Sequence, residues 1–207
     1  MELQTNMAVV SGVVENEPTF SHEVYGEGFY NFNVNVPRLS ETRDSIPITV
    51  SERLLAPGDI KVGDKIEISG QFRSYNNYSD MGSKLFLTLF ARDVKIIEEE
   101  EAENPNEISL IGYICKAPVY RHTPFGREIA DILLAVNRSY NKSDYIPCIA
   151  WGRNARYCQS LAVGDKVKIT GRIQSREYRK KIAEDEFVYK TAYEISIIKL
   201  EKIEPEA

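Results

Sequence analysis

Between residues 30 and 36 the chain alternates Tyr30, Phe32, Val34 and Val36 with Asn31, Asn33 and Asn35. A period of two sends the rings and branched side chains to one face and the amides to the other, which predicts a half-buried strand. Ile66, Ile68 and Phe72 keep the same beat, as do Val167, Ile169 and Ile173. On the missing beat of each run stands a glycine, Gly70 or Gly171, and glycine inside a strand predicts a bulge or the tight bend of a closing sheet. The rhythm changes once: between Trp151 and Gly164, Ala155, Cys158, Leu161 and Ala162 fall three and four apart, predicting one short amphipathic helix ended by glycine. Its counterpart, Ser51 to Asp59, contains Pro57 and Gly58, which predicts a shorter one.

The pattern occurs twice. Gly12, Pro18, His22, Gly26, Arg38, Asp44, Ile46 and Pro47 recur at Gly112, Pro118, His122, Gly126, Arg138, Asp144, Ile146 and Pro147, a constant shift of 100. The shift then becomes 101: Val62 to Lys65 returns as Val163 to Lys166, and Ile68, Gly70 and Ser74 return as Ile169, Gly171 and Ser175. A period near 100 residues is a duplicated domain rather than a solenoid repeat. The run Glu98 to Asn106, four glutamates followed within a few residues by a proline, reads as an acidic linker between domain 1 at 1–97 and domain 2 at 107–207. In the second copy the elements fall at about Ile108 to Lys116, Glu128 to Asn137, Tyr145 to Ala150, a helix at Arg153 to Leu161, Lys166 to Arg176 and Val188 to Leu200. Five short strands with a helix between the third and fourth predict an all-β chain of two tandem OB-folds, five-stranded Greek-key barrels each with one short helix.

With 207 residues and 43% hydrophobic content, two cores of that size are affordable. No apolar run approaches 18 residues, and the start MELQTNMAVV lacks a secretory pattern; the expectation is a cytoplasmic protein with no membrane partner. Cys115, Cys148 and Cys158 are odd in number and show no CxxC spacing, so free, buried thiols are expected rather than a disulfide framework or a zinc site. The net charge of -5 hides an asymmetry. Up to Asn106 there are 9 Lys and Arg against 18 Asp and Glu, a balance of -9; from Glu107 onward there are 17 against 13, a balance of +4.

The chemistry concentrates between Asp144 and Arg179, where Trp151, the sole tryptophan, and several tyrosines are interleaved with Arg and Lys. Rings on a sheet surface stack on bases while cations follow the phosphates, so this stretch suggests a groove for an unpaired nucleic acid strand. Enzymatic readings fare poorly. His22 and His122 stand just before a turn in their copies, no phosphate loop of the GxxxxGK[ST] type is present, and Gly26 and Gly28 lack a third glycine. No enzyme, cofactor, metal or small-molecule substrate is expected.

The second copy resembles the bacterial single-stranded DNA-binding proteins, most clearly in YIPCIAWGRNA and GRIQSREY; the first resembles them more weakly, through SGVV and VGDKIEISGQFRS. The resemblance implies base stacking on Tyr140, Tyr145, Trp151 and Tyr178. Phosphate contacts are expected from Arg138, Lys142, Arg153, Arg172 and Arg176, and from Arg179, Lys180 and Lys181 as a basic tip on the last loop. It also implies four OB domains working together, which two barrels per chain reach as a homodimer, with single-stranded DNA as partner, a nucleoid-associated location when bound, and replication or repair proteins as further partners. The first copy departs from the pattern: Ser40, Ser45 and Ser51 stand opposite Tyr140, Tyr145 and Trp151, and the loop between Arg73 and Lys84 carries no positive charge. Domain 1 is therefore expected to serve mainly assembly or a protein partner while domain 2 holds the strand. The family's members usually carry a flexible tail with an acidic tip, whereas this sequence stops at EKIEPEA, so recruitment of partners through such a tail is not expected. The alternative is an OB-fold adaptor of a replication complex with little strand binding of its own.

Overall fold

The alternation at residues 30–36 lies in a strand whose interior positions Phe32, Val34 and Val36 are fully buried. A computed structural model of the chain describes residues 5–38, 40, 42–56, 58–79, 82–97, 106–182 and 187–204, without side chains at 76–79 and 82–84. The first half contains β1 (Asn6–Val14), β2 (Thr19–Val24), β3 (Glu27–Pro37), β4 (Arg43–Ser51), β5 (Lys65–Ser79) and β6 (Gly82–Ile96); the second contains β7 (Asn106–Ile114), β8 (Val119–His122), β9 (Glu128–Arg138), β10 (Lys142–Trp151), α1 (Arg153–Cys158), β11 (Lys166–Lys181) and β12 (Phe187–Lys202). In the first half β1 pairs with both β3 and β5, β3 with β4, β4 in parallel with β6, and β6 with β5, so five strands close a barrel. The second half repeats the circuit through β7, β9, β10, β12 and β11. These are the two tandem barrels that the repeat predicts.

The strand interiors form the core, from Val10, Ile48 and Leu89 in one barrel to Leu110, Ile146 and Ile195 in the other. The glycine bends fall as expected, with the register shifting between Ser69 and Gly70 against β6, and between Thr170 and Gly171 against β12. A Cβ at Gly171 would stand 2.2 Å from the Ser196 carbonyl oxygen and one at Gly70 2.2 Å from that of Phe90, so only glycine permits the close approach that turns the sheet. Cys148 and Cys158 are buried free thiols, and burial pushes the Cys158 thiol up to about 11.

Several elements differ from the reading of the sequence. β2 and β8 are additional short strands; all six positions of β2 are exposed, so no apolar beat marks it. α1 stops at Cys158, and among the described residues the first barrel has turns in place of a helix, Leu54 and Leu55 both donating N–H to the Ser51 carbonyl; Pro57 lies outside the described residues. β11 and β12 run on as a long hairpin, so Arg179, Lys180 and Lys181 belong to β11 rather than to a loop tip. Asn106, read as linker, is the first residue of β7 and is buried. The rest of that linker, 98–105, and the last three residues lie outside the described residues.

The two barrels share one sheet. β1 and β7 pair antiparallel with Ala8 opposite Ile108, equivalent residues of the repeat, so a pseudo-twofold axis passes between them as in an isologous dimer. Where β1 leaves β5 to meet β7, the β5 backbone at Phe72 has no strand partner on its β1 side, while Leu89 of β6 pairs with it on the other. The Asn6 amide fills the β1 side, donating to the Phe72 carbonyl (2.7 Å) and accepting its N–H (3.0 Å). Asn106 does the same for Ile173, at 2.7 and 2.8 Å.

Candidate nucleic-acid interface

Beyond the bulge β11 alternates regularly, so Arg172, Gln174, Arg176, Tyr178 and Lys180 share one face, spaced by about 7 Å. Arg172, Gln174 and Arg176 line a groove of about 390 Å³ with Trp151 at the end of β10, Ser196 on β12 and Arg127 from the turn before β9. Trp151 is 36% exposed and its Nε1 donates to Ser196 Oγ at 3.2 Å, which fixes the ring's edge and leaves it part open to the groove. Arg176 lies with its guanidinium 5.8 Å from the Tyr178 ring, so this cation and this ring form a continuous surface. One carboxylate interrupts it: Glu194 accepts from Gln174 at 2.7 Å and Arg176 at 3.4 Å.

The groove reaches across the halves. Arg38, on the first barrel, also lines it, held by Asp44, which takes its Nε at 2.8 Å and simultaneously accepts Arg172 Nη1 at 3.0 Å and the Ser175 N–H at 2.7 Å. Burial and the neighbouring Arg38 pull the Arg172 guanidinium below its ordinary value, while the Asp44 hydrogen bond holds Arg38 above its own. Arg172 is therefore as much a seam residue as a groove residue.

The remaining expected residues divide. Arg138, Tyr140 and Lys142 line a separate, larger groove of about 1150 Å³ on the first barrel, together with Arg73, Phe90 and Arg92. Tyr140 is 94% exposed at φ 63° in the turn between β9 and β10, a left-handed conformation costly for a tyrosine, which holds the ring away from the barrel. Arg138 stands 3.7 Å from Asp144 across the hairpin. Tyr145 shares the outer face of β10 with Trp151 but lies six residues away, about 20 Å, at the seam where its N–H donates to Ser74 Oγ. Arg153 opens α1 beside Trp151 and is exposed. Arg179 and Lys181 face away from Tyr178, and Arg179 lies 3.5 Å over the Phe187 ring.

Residues that reading the sequence missed are Arg127, Gln174, Arg38 and, in the first barrel, Arg73, Phe90 and Arg92. Arg127, next to the turn glycine Gly126, carries a usable signal; the others need the barrel closure. The exposed rings Tyr25 and Phe125 also stand at matching hairpin tips before Gly26 and Gly126. No group of three or more potential metal ligands occurs among the described residues, nor is any described helix long and apolar enough to cross a membrane.

Comparison with known proteins adds an independent line. Residues 105–201 match the profile of the single-strand binding protein family. Single-stranded DNA-binding protein B of Bacillus subtilis is 37% identical over 83 residues, covering 35% of this chain and 71% of that protein; of seven other curated relatives the chain spans about half, between 48% and 57%. A solved single-stranded DNA-binding protein from Thermus aquaticus, a deletion mutant, superposes with a TM-score of 0.74 at 18% identity over 98% of this chain and 96% of that one. The dimeric N-terminal domain of PriB protein from Thermoanaerobacter tencongensis is 47% identical over 46% of this chain and all of that one, with a TM-score of 0.42.

Proposed function

The chain belongs to the single-strand binding protein family, and from that premise we propose that it binds single-stranded DNA without base preference, as a coating protein of replication, recombination or repair. The observation that carries the reading is the half-open Trp151 ring in a groove with Arg127, Arg172 and Arg176. A base stacked on such a ring contributes roughly 1 to 3 kcal/mol almost regardless of its identity, and the cations take the phosphates. The family and the names of its relatives favour DNA; the physics of ring and cation serves RNA equally. The role is binding rather than catalysis, with no cofactor, in the cytoplasm and on the nucleoid when a strand is held. Two barrels per chain support a homodimer of four OB domains, the arrangement we propose, with replication or repair proteins as further partners. An adaptor that holds no strand would leave the Trp151 groove without a role.

The test is the quenching of Trp151 fluorescence by oligo-dT and oligo-U of increasing length, followed by salt reversal. Saturable quenching that salt reverses, stronger with dT, supports the proposal. An unchanged signal together with no mobility or polarisation shift overturns it.

A further inference from the structure

We propose that the outer face of the first barrel is a second strand-holding face, with Phe90 as its stacking ring and the Arg138–Lys142 hairpin of the other half as its far wall. This extends the strand-binding reading above to a domain that offers serines at the positions aligned with Tyr140, Tyr145 and Trp151.

The ring has moved between neighbouring strands. On the parallel pair β4 and β6, Thr49 is the partner of Phe90; on β10 and β12, Ile149 is the partner of Ser196. Phe90 and Ser196 thus hold equivalent places. In the second barrel the ring comes from β10, and Trp151 bonds to the small Ser196 beside it. In the first barrel the β4 residue is the small one: Ser51 is buried, with its hydroxyl bonded to Glu27, and the ring comes from β6. Each barrel therefore pairs one ring with one serine at the same spot, in opposite order. A comparison of aligned positions reads this exchange as a loss.

The surroundings suit a strand. Phe90 is backed by Phe29, ring centroids 5.7 Å apart, and the Arg73 guanidinium lies 4.0 Å over its ring. The guanidinium covers that side of Phe90, so the platform for a base is the Arg73–Phe90 layer rather than the bare ring, and the guanidinium brings charge to the phosphate. Arg92, Arg138 and Lys142 add cations around the same groove, where Asp144 is the one carboxylate among the described lining residues. Asp144 is already engaged by the Ser74 N–H at 3.0 Å and by Arg138. The place that Glu194 occupies on the second face, two residues before Ser196 on the outer side of β12, is Thr88 here, bonded to Thr49. The half's balance of -9 is thus not the charge of this groove.

The test counts strands on the full chain. An oligo-dT of about eight nucleotides, within the span of one OB-fold, is titrated while native mass spectrometry counts oligomers per chain and Trp151 fluorescence follows the second face alone. The native protein should take two per chain. Phe90→Ala, and separately the exposed pair Tyr140→Ala with Lys142→Glu, should weaken one of the two events by about tenfold or more, as loss of a stacked ring does, with the Trp151 quenching curve displaced less than about twofold. Saturable quenching with only one oligomer per native chain overturns the inference alone, as does undiminished binding of two by both variants. Absence of quenching and of any complex in the native protein overturns the strand-binding reading and this inference with it.

Discussion

A ring that stacks on bases must be exposed on one side and fixed on the other, and Trp151 meets both conditions: 36% of it is exposed while its Nε1 is tied to Ser196. Trp151→Ala is expected to weaken oligo-dT binding by roughly 5- to 150-fold, the equivalent of about 1 to 3 kcal/mol, whereas Trp151→Phe retains most of the affinity; polarisation of a labelled oligomer reads both, since the intrinsic signal is lost. The rings of the second half were legible in the sequence because they stand in one run with their cations. Their grouping was not, because Tyr140 and Lys142 leave their own barrel and line the groove of the other. Phe90 was illegible for a different reason: its equivalence to Trp151 exists only across the β4 and β6 pairing, and no shift of one copy along the other brings the two into register.

Strands that bury one face announce themselves by their beat, which is why β3, β5 and β11 were readable, and exposed strands such as β2 carry none. The glycine bends were readable too, and the reason they must be glycine is the approach of the next strand. Gly171→Ala puts a Cβ 2.2 Å from the Ser196 carbonyl, a backbone atom that cannot move without breaking the β11–β12 register; the expected loss is about 3 kcal/mol, read from the urea midpoint, with reduced oligomer affinity because Ser196 supports Trp151. Asn106 was hidden by the linker reading, although the shift of 100 that relates the copies sets it opposite Asn6, which opens β1 in the same way. The Asn106 amide satisfies both the N–H and the carbonyl of Ile173 where β7 departs. Asn106→Ala leaves two buried backbone groups without partners and should cost about 2 to 4 kcal/mol, measured in the same way, while Ser109→Ala, on the half-buried side of β7, should shift the midpoint little.

At the scale of the whole molecule the repeat predicted two barrels but not their seam, although Asp44 and Asp144 were among its matching residues. Each recurs because it crosses to the opposite half, Asp44 to the Ser175 N–H and Asp144 to the Ser74 N–H. The two are matched in sequence and unequal in surroundings. Asp44 neutralises Arg38 and Arg172 together, so Asp44→Asn leaves two adjacent, partly buried guanidinium groups without a counter-charge and should destabilise the fold by about 3 kcal/mol at neutral pH. Asp144 has one backbone N–H and an arginine 3.7 Å away, and burial pushes its carboxyl above the ordinary range by more than Ser74 and Arg138 pull it down. A folded-state value above the unfolded one means that the folded chain keeps a proton the unfolded chain has lost, so stability falls as pH rises through that window and stays lowered above it. An amide at this position never pays that cost. Asp144→Asn should therefore match the native chain at about pH 2.5, well below the ordinary carboxylate value of about 3.9, where the carboxyl is protonated in either state, and equal or exceed its stability at pH 7, the reverse of Asp44→Asn. Urea midpoints of the three proteins at both pH values check this; equal losses for the two variants at pH 7 would mean that the seam is held by the repeat's symmetry and not by the local balance of burial against charge.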